Sequence, residues 1–244
     1  MPPDTVYPDV MAAIYYEDAD TTIEPTSTTA LEPISCTNDD LALTRPDFAI
    51  QPGADPYILD LTMTLALNET RNFEWRTNDR AYRANFNFPL LYPVAAGQTA
   101  FPENPEWNVY DLGANASIVL NITNQTPFTH PMHLHGHSFF VLSVGGTEGA
   151  VWDGHVAQPD NPMRRDTQIV PAGGHAALAF EGDNPGVWPF HCHVAWHLSS
   201  GLAVNLVSRP EDVVPIPEGT RARACEAWEA YSAGTVVDQI DSGS

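Results

Sequence analysis

Lysine is missing altogether. All ten basic residues are arginine, set against 31 acidic ones, and the formal charge is −21. A surface this acidic repels phosphate, so nucleic acid and anionic membrane are poor partners. Long apolar runs are missing too: no stretch approaches the ~20 residues that cross a bilayer. The start, Met1-Pro2-Pro3-Asp4, shows neither a basic segment nor an apolar one, so no signal peptide is read there. Helical periodicity is scarce. Cysteine is limited to Cys36, Cys192 and Cys225, an odd number that cannot all pair among themselves.

What the chain has is strand. Its 244 residues are 43% hydrophobic, enough for one large or two small domains with a real core. Apolar or alternating segments occur at 57–65, 73–75, 117–124, 138–144, 166–170, 176–180, 187–193 and 202–207. Pro171-Ala172-Gly173-Gly174 and Asp183-Asn184-Pro185-Gly186 are turn signals between them. Many short strands with such turns predict an all-β sandwich over residues 57–210. Before it, 11–16 reads as a lone short strand at the end of something preceding. Residues 17–56, rich in Asp, Glu, Thr and Pro, read as an extended connector pinned to a surface. Residues 85–105, with several prolines, read as a long loop. Residues 211–244 hold one helix, at 218–231, with Ala222, Cys225, Ala227, Trp228 and Tyr231 along one side, and then a polar tail. Glycosylation sequons at Asn68, Asn115, Asn121 and Asn124 modestly favour secretion.

Histidine carries the chemistry. Seven of nine fall in two windows, His130-Pro131-Met132-His133-Leu134-His135-Gly136-His137 and the run from His191 to His197. In an extended backbone, residues i and i+2 share a face. His191-Cys192-His193 therefore throws two imidazoles one way and a thiolate the other. Cys192 and His197, with His130 as the candidate third donor, form a sulfur–nitrogen set that suits copper. Pro131 restricts the local backbone and lets His130 point apart from His133 and His135. Leu202, five residues beyond His197, falls where an axial group would sit and cannot donate to copper, which implies a high reduction potential. His133, His135, His191 and His193 remain for the other side: too many for chance core packing, too few for a complete multi-copper cluster. If Cys192 holds a metal, Cys36 and Cys225 could pair, bond elsewhere or stay free. His137 reads as structural, His155 and His175 as solvated loop residues, and Arg165-Asp166 as an ion pair. Asp183 could orient a ligand, relay protons or cap a turn.

These windows, with residues 163–167, 171–174, 183–197, 225–231 and 241–243, resemble the C-terminal part of a multicopper oxidase, most closely a fungal laccase of the ascomycete branch. The resemblance implies a cupredoxin-like Greek-key sandwich, the third of three, after the end of a second domain (1–16) and the connector (17–56). It implies His130, Cys192 and His197 on a type 1 copper and His133 on a type 2 copper. His135 and His191 would share one type 3 copper, with His193 on the other. It further implies a small aromatic reductant at the exposed His197 edge, with Trp196 in the pocket wall, and dioxygen reduced to water. Electrons would pass through Cys192 to His191 and His193. Such relatives supply further cluster histidines from two His-X-His motifs, and disulfide partners for Cys36 and Cys225, upstream. Neither these nor a signal peptide stand here, which implies missing N-terminal cupredoxin domains. His175 stands where relatives often carry tryptophan, and Ser244 where they usually carry an aliphatic residue. The alternatives are a non-catalytic blue-copper electron shuttle, an inactive fragment that exposes an apolar face, or another multicopper oxidase such as a ferroxidase or bilirubin oxidase.

Overall fold

The computed structural model describes residues 13–23, 26, 37–98, 100, 105–146 and 149–234. It divides into Met1–Cys36 and Thr37–Ser244. In the first unit the described residues form turns. Tyr16 O accepts from Ala19 N at 3.0 Å, and the Asp20 carboxylate accepts from Thr22 N and Oγ1. Residues 13–16 are not a strand, which corrects the expectation for 11–16; Met11 and Ala12 lie outside the described residues. An apolar run makes a strand only where a partner offers a ladder.

Among the described residues of the second unit, eleven strands make two sheets: β1 Tyr57–Leu67, β2 Phe73–Thr77, β3 Val109–Gly113, β4 Ser117–Asn124, β5 His130–Leu134, β6 Phe139–Gly145, β7 Met163–Arg165, β8 Thr167–Val170, β9 His175–Glu181, β10 Gly186–Cys192 and β11 Ala203–Ser208. One sheet runs β2-β1-β4-β9-β6-β7 and the other β3-β11-β10-β5-β8. Alternation decides the core. Ile118, Leu120, Ile122, Leu178 and Phe180 face Met132, Leu134, Phe190, Cys192, Val204 and Leu206 in one buried cluster. β4, β6 and β9 also bury their outward residues. Val119, Phe140, Leu142, Ala177 and Ala179 form a second cluster under Trp152 and Val156. These strands therefore read as continuous apolar runs rather than clean alternation.

Residues 85–105 are more than a loop. They contain a short helix, α1 (Leu91–Ala95), whose Val94 packs with Leu90, Trp107 and Val207 over the outer face of the second sheet. Pro93 sits within the first turn, where a missing N–H costs no intrahelical bond. The connector's second half is held by side chains of the sandwich. Gln168 Nε2 donates to Asn38 Oδ1 (2.6 Å), Asn161 Nδ2 to Pro46 O (3.0 Å) and Arg164 Nη2 to Phe48 O (2.8 Å). The C-terminal helix, α3 (Glu218–Ser232), half-buries Ala222, Cys225 and Trp228, while Ala227 and Tyr231 stay exposed. Its covered side is thus narrower than expected, anchored by Trp228 Nε1 on Asn87 Oδ1 at 2.8 Å. Cys225 is free among the described residues, and Cys36 and the 241–244 tail lie outside them. Among the described residues no helix is long and apolar enough to cross a membrane.

His175 is buried, not solvated. It pairs with Gly145 across β6 and β9, and a Cβ on that glycine would land 2.3 Å from the ring. The missing side chain makes the space for the imidazole.

Candidate metal centre

Two neighbouring strands place the histidines. β5 and β10 run antiparallel with His191 opposite His133 and Cys192 opposite Met132. On β5, His130, Met132 and Leu134 are buried, while Pro131 and His133 turn to the other face. Strand alternation alone separates His130 from His133; no proline kink is needed. Cys192 points to the same inner face as His130. His197 reaches it from α2 (Ala195–Ser199), a short helix after β10. The loop is closed at both ends: Leu202 N donates to His197 O (3.0 Å), and Cys192 N donates to Leu202 O (3.1 Å).

The result is a three-donor group. His130 Nδ1 and His197 Nδ1 lie 3.1 Å apart, and Cys192 Sγ is 3.6 Å from the first and 3.4 Å from the second. Among the described residues, only these three bring donor atoms together within 4.8 Å as a group of three or more. Burial, then the charge of His197, depresses His130 to about 4, and burial pushes the Cys192 thiol up to about 11. Burial also lowers His197. Neutral imidazoles offer lone pairs, and the thiol keeps its proton until a cation displaces it. Two nitrogens and one sulfur at such mutual distances, in a buried pocket, fit copper.

On the other face, His133, His135, His191 and His193 assemble. The ring centroids of His191 and His193 are 5.9 Å apart and nearly parallel at 22°, and His133 stands 5.7 and 5.6 Å from them. His135 Nε2 is 3.0 Å from His191 Nε2. Two rings are oriented by groups that only accept protons. His133 Nδ1 donates to Asp166 O (2.9 Å) and His191 Nδ1 to Cys192 O (3.0 Å), which leaves Nε2 of each bare for a ligand. Burial lowers His135 and His191, and the neighbouring imidazoles add to this.

A multicopper oxidase family model matches residues 67–212. The chain belongs to the multicopper oxidase family. It is 33% identical over 243 residues to laccase-1 of Botryotinia fuckeliana, covering 96% of this chain and 42% of that protein. It is 35% identical over 202 residues to laccase-1 of Melanocarpus albomyces, covering 75% and 32%. The crystal structure of the Botrytis aclada laccase superposes with a TM-score of 0.74 at 28% identity, over 93% of this chain and 42% of that one. Fet3p, a multicopper oxidase that functions in iron import, gives 0.68 at 26%, over 86% and 42%. The chain spans about two-fifths of the length of the first of these curated relatives. The cupredoxin-like sandwich expected from the sequence matches these neighbours, and the family implies copper.

Other residues of this multicopper oxidase chain fall as follows. Trp196 is 81% exposed beside the half-buried His197, and Leu202 is fully buried in the core cluster with Cys192. His137 packs edge-on against Phe180 and Trp188. Arg165 does not pair with Asp166: it donates to Gln168 Oε1, and the Asp166 carboxylate turns to Thr167 and lies 3.9 Å from His133 Nδ1. Asp183 and His155 are exposed loop residues. Trp75 was not singled out by the sequence. Its ring lies 4.7 Å from that of His130 and 4.5 Å from that of His197. The only sequence signal was its place in a short alternating strand.

Proposed function

We propose that this chain provides the electron-accepting centre and part of the oxygen-reducing centre of a laccase-like multicopper oxidase. His130, Cys192 and His197 hold the type 1 copper. His133 serves the type 2 copper, His135 and His191 one type 3 copper, and His193 the other. The observation that carries this is the split at residues 191–193: the thiol lies inside with His130 and His197, while two parallel imidazoles lie outside. Copper, when bound, supplies one-electron redox chemistry at neutral pH. The chain supplies the rest. The half-buried His197 forms the edge nearest solvent, and the Trp196 indole offers a face for an aromatic ring. The main chain of residues 191–193 gives electrons a covalent path from the thiolate to the outer imidazoles.

The loop 194–201 holds no carboxylate, which favours a small phenol-like reductant over ferrous ion. The remaining cluster imidazoles, and the partner of Cys225, come from polypeptide outside this sequence, in two further cupredoxin domains. Residues 57–210 act as the third, with 1–16 the end of the second, 17–56 the connector, and 211–244 the closing helix and tail. An extracellular setting is supported by sequons at the exposed Asn115 and the half-buried Asn68.

Copper-loaded, the 244-residue chain is expected to turn intensely blue yet consume no oxygen with a phenol. Steady oxygen uptake by this chain alone would show that its cluster is complete and sink the division of ligands. A colourless loaded chain would sink the copper–thiolate centre. The blue shuttle is the second reading, favoured by the fact that only the three-donor group converges among the described residues. Leu202→Met is expected to keep the colour and lower the reduction potential in voltammetry, because a thioether packed in the cluster with Cys192 could donate to copper held there and would stabilise its cupric state, which leucine cannot.

A further inference from the structure

Asn124, Thr126 and His130 form a buried line of hydrogen bonds, exposed by 1%, 2% and 0%. Asn124 Nδ2 lies 2.8 Å from Phe128 O and 2.8 Å from Pro171 O, two carbonyls that can only accept. The amide is therefore fixed with its NH2 toward them. Asn124 Oδ1 then faces Thr126, accepting from its N–H (3.0 Å) and lying 2.7 Å from its hydroxyl. Two oxygens at that distance need a proton between them, and the only one is on Thr126. Phe128 O, at 3.2 Å, is also an acceptor and does not change the count. With its single proton spent, Thr126 Oγ1 can only accept from His130 Nε2, 2.9 Å away.

Resting on the proposed copper role of His130, we infer that Asn124 and Thr126 are positioning residues. They hold the ring proton of His130 on Nε2 and so leave Nδ1, the atom aimed at Cys192 and His197, bare for the metal. In the metal-free chain, Nδ1 of His130 accepts from Nδ1 of His197, which is consistent with their 3.1 Å separation. The Asn124-Gln125-Thr126 sequon is then a proton-ordering device, with both amide hydrogens already used.

The test is the ring tautomer of His130 in the 15N-histidine-labelled, metal-free chain, read by long-range proton–nitrogen spectra. The expected result is a proton on Nε2. Thr126→Val should mix the tautomers and weaken copper binding by about 10–100-fold, the usual cost of losing a ligand's hydrogen-bond partner. Thr126→Ser, which keeps the hydroxyl, should restore both. A proton on Nδ1 in the parent would overturn the inference, and needs no variant that might fail to fold. So would a Thr126→Val chain with the parent's tautomer and copper affinity. A parent that shows the Nε2 proton but takes up no copper supports the proton order and sinks the proposed function instead.

Discussion

Replacing Cys192 by serine will leave the copper-loaded chain colourless. The intense colour expected of this centre belongs to the bond between copper and a thiolate. A serine hydroxyl does not give up its proton to a cation near neutral pH, so no anionic sulfur-like donor forms. The substitution is nearly isosteric, but Cys192 is fully buried between the sheets. A hydroxyl there still has the Nδ1 atoms of His130 and His197 beside it, so circular dichroism will show the variant folded. Cys225→Ser, on the half-buried side of α3, should leave the colour intact and serves as the control. Retention of the blue band in Cys192→Ser would end the whole assignment, since no other thiol stands with two imidazoles among the described residues.

The second large effect belongs to Gly201, which has φ +110°, a value that side chains resist. A Cβ there would lie 2.5 Å from Trp75 O and 3.1 Å from Ala81 Cβ. The neighbouring bonds leave little room to give: Trp75 N donates to Ser200 O (2.8 Å) and Tyr82 N to Gly201 O (3.0 Å). Backbone strain and overpacking each cost about 1–3 kcal/mol. About 3 kcal/mol in a domain of this size lowers the unfolding midpoint by about 6–12 °C. Gly201→Ala should show that drop in a thermal scan, together with weaker copper uptake, because Trp75 rests on both imidazoles. An unchanged midpoint would mean the loop relaxes freely and that Gly201 does not set the His197 position.

The heart of the site was legible because it is local. The opposite orientation of Cys192 and its two neighbours follows from strand geometry alone, and the same rule separates His130 from His133. The burial of Leu202 likewise follows from its place at the start of an apolar strand. What stayed hidden depends on partners distant in sequence. Trp75 meets His130 and His197 only because β2 lies on the edge of one sheet and bonds to the loop before β11. His175 is enclosed because register puts Gly145 opposite it. Residues 13–16 have strand-like composition but no partner strand, and Pro93 looks like a breaker until its place in a first helical turn is known. Thr126 gave no signal, since a threonine near a histidine means nothing until the amide beyond it is oriented.

His130 and Cys192 are built into paired strands, whereas His197 rides on a five-residue helix held by a few main-chain bonds. Two donors of the clamp are thus set in strand ladders and the third in a short helix tied down by main-chain bonds from Trp75 and Tyr82. The third donor is also the least buried of the three, so on the proposed function metal exchange and reductant docking would share a single doorway. A phenol lodged against the Trp196 indole should therefore slow a chelator's theft of the metal.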